Sequence, residues 1–294
     1  MIWPDRYTLM SRFTAEARPA GGLGSVLVVL VAFEFAFWLM GLALLWIPAS
    51  AVDSPWATTL DFAGFLLPAA AVLLAVRVMH GRGLRSLIGT PFRRPLVRAG
   101  VAVGIVLALQ EPAMLWLDFQ GDLTVRPVLS WALWLIPGLA AILLQSGTEE
   151  LVYRGYLQQQ LGARSARPLV WMVIPSVYFG LGHLYNGETL AEGTLWAIWA
   201  TVLGLACADL TARTGSIGAA VGLHFANNVF ASVVIDGEGA PSSGLALLLY
   251  PPEAPVELDP GFVALVTPFT VFDIGMTVLS VGVMWLAARV ALRV

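Results

Sequence analysis

Apolar residues run along this chain in stretches too long and too continuous for a soluble fold, and polar residues collect in the short intervals between them. Eight such stretches are legible: Ser25 to Pro48, Trp56 to Met79, Leu96 to Leu117, Leu129 to Leu161, Leu169 to Tyr185, Gly193 to Ala212, Ser216 to Ile235 and Phe262 to Ala291. Roughly 20 residues of α-helix cross a ~30 Å hydrocarbon layer, so each stretch reads as one span. The pattern predicts an all-α polytopic membrane helix bundle of about eight transmembrane helices, with residues 1–294 forming a single membrane domain. Ala49-Ser50-Ala51 resembles a signal-peptidase site, but the run before it exceeds a signal-peptide core and the next run follows at once. A retained anchor is therefore expected. Leu245 to Tyr250 is too short to span and is expected at the interface.

Composition agrees with this reading: 58% of residues are hydrophobic and 12% charged, and the mean hydropathy is +0.80. The net charge of −3 hides a sorting of charge by side. All 16 basic residues are arginine, and with the N-terminus inside, every one except Arg126 falls in or beside a cytoplasmic segment. The positive-inside rule thus predicts a multi-pass protein of the cell membrane with both termini cytoplasmic. Cys207 is the single cysteine, so no intrachain disulfide can form. No basic amphipathic arm suggests nucleic acid, and no glycine-rich loop suggests a phosphate cradle.

One polar stretch interrupts the oil. Ser146 to Leu157, SGTEELVYRGYL, places two adjacent carboxylates and an arginine at the end of the apolar segment Leu129 to Leu144. A carboxylate in such surroundings needs a partner or a purpose, because taking it out of water costs several kcal/mol. Glu150 and Arg154 stand four apart in the favourable acid-before-base order, whereas Glu149 is turned roughly 100° away. The spacing predicts a Glu150–Arg154 pair and a Glu149 that faces something else. An interfacial charge cluster capping a helix is the plainer alternative.

Two of the three histidines, His183 and His224, lie inside predicted spans. Phe179 precedes His183 by four residues and Asn228 follows His224 by four, so each pair shares a helix face. Counting ~1.5 Å per residue from the turn at Ala163 to Arg167 puts Glu149 and His183 at similar heights, roughly 20–24 Å from it. His224 is about nine residues beyond Gly215, or roughly 14 Å, which agrees if the Ala163 to Arg167 turn projects farther into the cytosol.

The residues EELVYR (Glu149 to Arg154), FGLGH (Phe179 to His183) and HFANN (His224 to Asn228) resemble the three motifs, EExxxR, FxxxH and HxxxN, of the CAAX protease and bacteriocin-processing family of intramembrane glutamic endopeptidases. The resemblance covers about residues 129–235, a four-helix catalytic core. Tyr153 stands where the family often has Phe. The resemblance implies catalytic roles for Glu149, His183, His224 and Asn228, with Glu150, Arg154 and Phe179 in support. It implies that a carboxylate and a histidine activate water while a histidine and an asparagine stabilise the oxyanion, without a cofactor. The substrate would be a peptide or protein at the membrane, a C-terminally lipidated one among the options. Two rivals stand beside it. The same Glu149, His183 and His224 form a recognised zinc ligand set. Alternatively the chain is a non-catalytic immunity or scaffold protein, or a transporter whose Glu34, Asp209, Asp273 and the central acids relay protons.

Overall fold

A computed structural model describes residues 5–18, 22–119, 122–187, 189–251 and 267–294. Glu253, Glu257 and Asp259, and the Phe262 start of the last apolar run, lie outside the described residues. The chain is a helical membrane protein with few strands. Helix α1 spans Leu23–Leu44, α2 Pro55–Gly64, α3 Leu66–His80, α4 Arg93–Phe119, α5 Val128–Glu150, α6 Gln159–Arg164, α7 Ile174–Leu181, α8 Leu190–Thr214, α9 Gly218–Val229 and α10 Pro268–Leu292. Helical structure therefore stands at each of the eight apolar stretches. Among the described residues, five helical segments are long and apolar enough to cross a membrane: Leu23–Leu44, Pro55–His80, Val128–Arg164, Leu190–Thr214 and Thr270–Leu292.

Helix ends follow local chemistry. The Ser54, Thr189 and Thr267 hydroxyls accept from backbone N–H groups in the first turns of α2, α8 and α10, satisfying donors that a helix start leaves free. Helix α8 stops at Gly215, whose φ of +68° closes the helix in the left-handed conformation. The chain then reverses directly into α9, which packs most extensively on α4. A Cβ at Gly222 would lie 2.9 Å from the Gly100 backbone nitrogen and run into the Leu96 carbonyl oxygen, so α9 meets α4 backbone to backbone. Gly104, four residues after Gly100, has no heavy atom near its Cβ position.

The two ends of the bundle differ in charge. At one end the N-terminal turns bury Tyr7, Met10 and Phe13. There Asp209 gathers the Tyr7 hydroxyl at 2.7 Å, the Arg213 Nε at 2.6 Å and the Trp285 Nε1 at 2.8 Å, tying the N-terminal turns, α8 and α10 together. Arg164, at the far end of the Val128–Arg164 segment, and Arg126, just before its start, lie at opposite ends. Arg126 donates from Nε to the Ala246 carbonyl at 2.9 Å and from Nη2 to that of Ser243 at 3.1 Å. Beside it lies a small sheet of β1 Thr124–Val125, β2 Ile235–Gly237 and β3 Leu248–Tyr250, with β3 central, antiparallel to β1 and parallel to β2. The short apolar stretch expected at the interface thus becomes a 3₁₀ turn followed by a strand.

Candidate active site

The two glutamates end helix α5, and the next eight residues, Leu151–Gln158, form a π-helical segment. Such widened turns are uncommon and concentrate at functional sites. Two more π-helical segments occur among the described residues: Leu169–Val173, which leads into α7, and Phe230–Val234, which directly follows α9, the helix of His224 and Asn228.

Glu150 and Arg154 are both entirely buried, and Arg154 Nη1 donates to Glu150 Oε1 at 3.1 Å. The expected pair is present. The guanidinium carbon also lies 4.8 Å from the centre of the Phe179 ring and 5.8 Å from that of Tyr153, a cation–π arrangement that helps hold a desolvated charge. Space for it comes from Gly204 of α8, where a Cβ would stand 2.9 Å from Arg154 Nη2 and 3.0 Å from Ser176 Cβ.

His224 sits between the glutamates. Its Nδ1 is 2.8 Å from Glu150 Oε1 and its Nε2 is 3.5 Å from Glu149 Oε2. Because Glu150 is ion-paired with Arg154, its ionised carboxylate only accepts, so His224 Nδ1 carries the hydrogen of that contact. The two acids differ in surroundings: the Glu150 side chain is 0% exposed and that of Glu149 11%. Glu149 Oε2 has no hydrogen-bond partner among the described residues.

Helices α5 and α9 meet through matched pairs four residues apart. Asn228 Nδ2 donates to Gln145 Oε1 at 2.9 Å, and one turn along, His224 faces Glu149. An amide nitrogen carries two hydrogens, so Asn228 keeps a second donor. Gln145 was not expected in the site. Its only signal is a polar side chain one turn before Glu149 on an apolar helix.

His183 lies in the 3₁₀ turn Gly182–Asn186 that tightens the end of α7. Its Nδ1 donates to the Phe179 carbonyl at 2.9 Å, which leaves Nε2 of the neutral ring as an acceptor. The Phe179 ring joins the two histidines, with centroids 4.6 Å from His183 and 5.8 Å from His224. The imidazole in direct contact with Glu149 is that of His224. No hydrogen bond joins Glu149 to His183 among the described residues. The expected convergence on Glu149 is therefore immediate for His224, runs through Gln145 for Asn228 and through the Phe179 ring for His183.

The residues of the rival readings are also placed. Among the described residues no group of three or more His, Cys, Asp or Glu side chains stands so as to hold a metal ion. Glu34 accepts from the Tyr178 hydroxyl, Asp209 is held in the three-way clasp at the basic end, and Asp273 lines a small hollow with Glu192, Trp196 and Trp199.

Residues 130–230 match the family model described as type II CAAX prenyl endopeptidase Rce1-like. The uncharacterized protein YyaK of Bacillus subtilis (strain 168) is 33% identical over 118 residues, which cover 40% of this chain and 39% of that relative. The chain thus matches about two fifths of this curated relative's length. No solved structure matches. The segment that is similar to the Rce1-like family model holds Gln145, Glu149, Glu150, Arg154, Phe179, His183, His224 and Asn228 together.

Proposed function

We propose that the protein is an intramembrane endopeptidase of the glutamate type, with Glu149 as the general base. The observation that carries this reading is the buried cluster in which His224 lies between two acids, one neutralised by an arginine and the other free to accept a proton. Peptide hydrolysis needs a nucleophile stronger than neutral water and a donor for the charge that develops on the carbonyl oxygen. Glu149 Oε2 accepts a proton from water while the bare Nε2 of His183 orients it, and the water oxygen attacks the carbonyl carbon. The second N–H of Asn228 stabilises the oxyanion, joined by the Nε2–H of a His224 ring that carries hydrogen on both nitrogens. Glu149 then passes its proton to the leaving nitrogen as the C–N bond breaks, giving a carboxylic acid and an amine.

The proposed substrate is a peptide or protein presented at the membrane, a lipidated C-terminus being the variant that the Rce1-like match favours. No cofactor enters this reading. His224 turns both ring nitrogens to the glutamates, an arrangement that favours proton chemistry over zinc ligation by that ring. The test is purified protein in liposomes with paired peptides, prenylated and unmodified at a C-terminal cysteine motif. Cleavage should persist after 1,10-phenanthroline treatment and without bound metal in elemental analysis. Loss on chelation, restored by zinc, would transfer the chemistry to a metal, and absence of cleavage of any membrane peptide would favour the scaffold reading.

The arginine distribution supports cytoplasmic N- and C-termini in the cell membrane. Reporters fused after Arg94, Arg126 and Gly239 should read inside, outside and outside. An inside signal at Gly239 would contradict the proposed topology.

A further inference from the structure

A second polar site lies at the basic end of the bundle, away from the glutamates. Helix α3 ends at Gly81 in the left-handed conformation, φ +64°, and the next residue, Arg82, turns inward and is only 8% exposed. Its Nη2 donates to the Ser86 carbonyl at 3.2 Å and to Gln159 Oε1, both uncharged acceptors. Nε and Nη1 are buried and have no hydrogen-bond partner among the described residues. No carboxylate lies within ion-pair distance of it there. Burial pushes the Arg82 pKa down, and the field of Glu16 raises it, yet a guanidinium keeps its charge in proteins.

Arg82 lines a hollow of about 770 Å³ together with Arg12, Glu16, Arg85, Ser86 and Thr90. Arg12 comes from the N-terminal turns and Arg85 from the short helix Leu84–Ile88. Both are exposed, and neither forms an ion pair among the described residues. Three guanidinium groups against the one carboxylate of Glu16 leave the hollow with a net charge of two positive. A buried, always-charged fork with two unused donors calls for an oxyanion, and phosphate geometry matches the guanidinium edge.

We propose that this hollow binds a phosphate group, with Arg82 as the buried anchor and Arg12 and Arg85 closing over it from two separate segments. Because α3 leaves the apolar layer at this point, the phosphate of an anionic lipid headgroup and a free phosphate are the two sources of the same chemistry. The N-terminal turns would then be fastened partly by the bound anion, in addition to the Tyr7–Asp209 contact.

The experiment uses the full chain in a zwitterionic detergent, with thermal unfolding followed during titration with short-chain phosphatidylglycerol, short-chain phosphatidylcholine or inorganic phosphate. Wild-type protein should be stabilised by phosphatidylglycerol and not by phosphatidylcholine. Stabilisation by inorganic phosphate as well would identify the free anion as sufficient. Arg82→Gln should abolish the effect. Because that change also removes contacts to Gln159 and Ser86, the double variant Arg12→Gln/Arg85→Gln serves as the independent arm, altering only exposed side chains. It should weaken the apparent affinity by about fivefold per arginine removed. Equal titrations for wild type and the double variant, or no stabilisation by either phosphate source, would overturn the proposal.

Discussion

Glu149→Gln is expected to lower the cleavage rate by about 10²–10⁴-fold, the usual contribution of a positioned general base, while the folded protein survives. Glutamine keeps the size of the side chain and loses the proton acceptor. Little structure depends on the charge, because Glu149 Oε2 makes no hydrogen bond among the described residues and the nearest imidazole nitrogen is 3.5 Å away. The loss should therefore appear in kcat, with KM and melting temperature near those of wild type. Single-turnover cleavage in liposomes, alongside unfolding in detergent, measures both. A variant that cuts at the wild-type rate would remove Glu149 from the chemistry.

What could be read from the sequence here is what spacing along one helix encodes. Glu150 and Arg154 are four residues apart in the favourable order, and the pair is present at 3.1 Å. Phe179 and His183 obey the same rule, with their rings in contact. Contacts between helices are another matter. Nothing local says that His224 lies against Glu149 and Glu150, 74 residues from the latter, or that Asn228 meets Gln145 across 83 residues. Height counting placed these residues at one level, but helix rotation decides which side chain faces which. That rotation is set by the packing of α5 on α9, which brings His224 to Glu149 as its direct imidazole neighbour.

The apolar runs located the helices because burial in hydrocarbon imposes a length that periodicity need not confirm. They were silent on short-range irregularity. The β1–β3–β2 sheet is made of strands two or three residues long, too short for any alternation to register. The residues before the first apolar run are largely polar and carry Arg6, Arg12 and Arg18, yet Tyr7, Met10 and Phe13 are buried through contacts such as Tyr7 to Asp209, 202 residues away. Gly204 was legible only as one small residue among many. Its role beside Arg154 depends on the crossing of α8 with the segment after α5, and that is set by tertiary packing.

The second large effect is expected at Glu150, and it should fall on stability. Glu150→Gln leaves Arg154 charged and entirely buried, with Nε and Nη2 already lacking hydrogen-bond partners among the described residues. Breaking a buried pair by removing one partner typically costs about 3–5 kcal/mol, so the melting temperature should drop by several degrees or the protein should fail to accumulate. Phe179 offsets part of this through its contact with the guanidinium, at about 0.5–2 kcal/mol. Removing both charges reverses the logic. In Glu150→Gln/Arg154→Met no uncompensated charge remains, and a flexible apolar chain fills the space beside Gly204, so much of the lost stability should return. Activity should not return with it, because the ionised acceptor that holds His224 by Nδ1 is gone. A double-mutant cycle of melting temperature and cleavage rate separates these two consequences. If Glu150→Gln melts with wild type, the buried ion pair does not hold this site together, and Arg154 must be held chiefly by the aromatic rings around it.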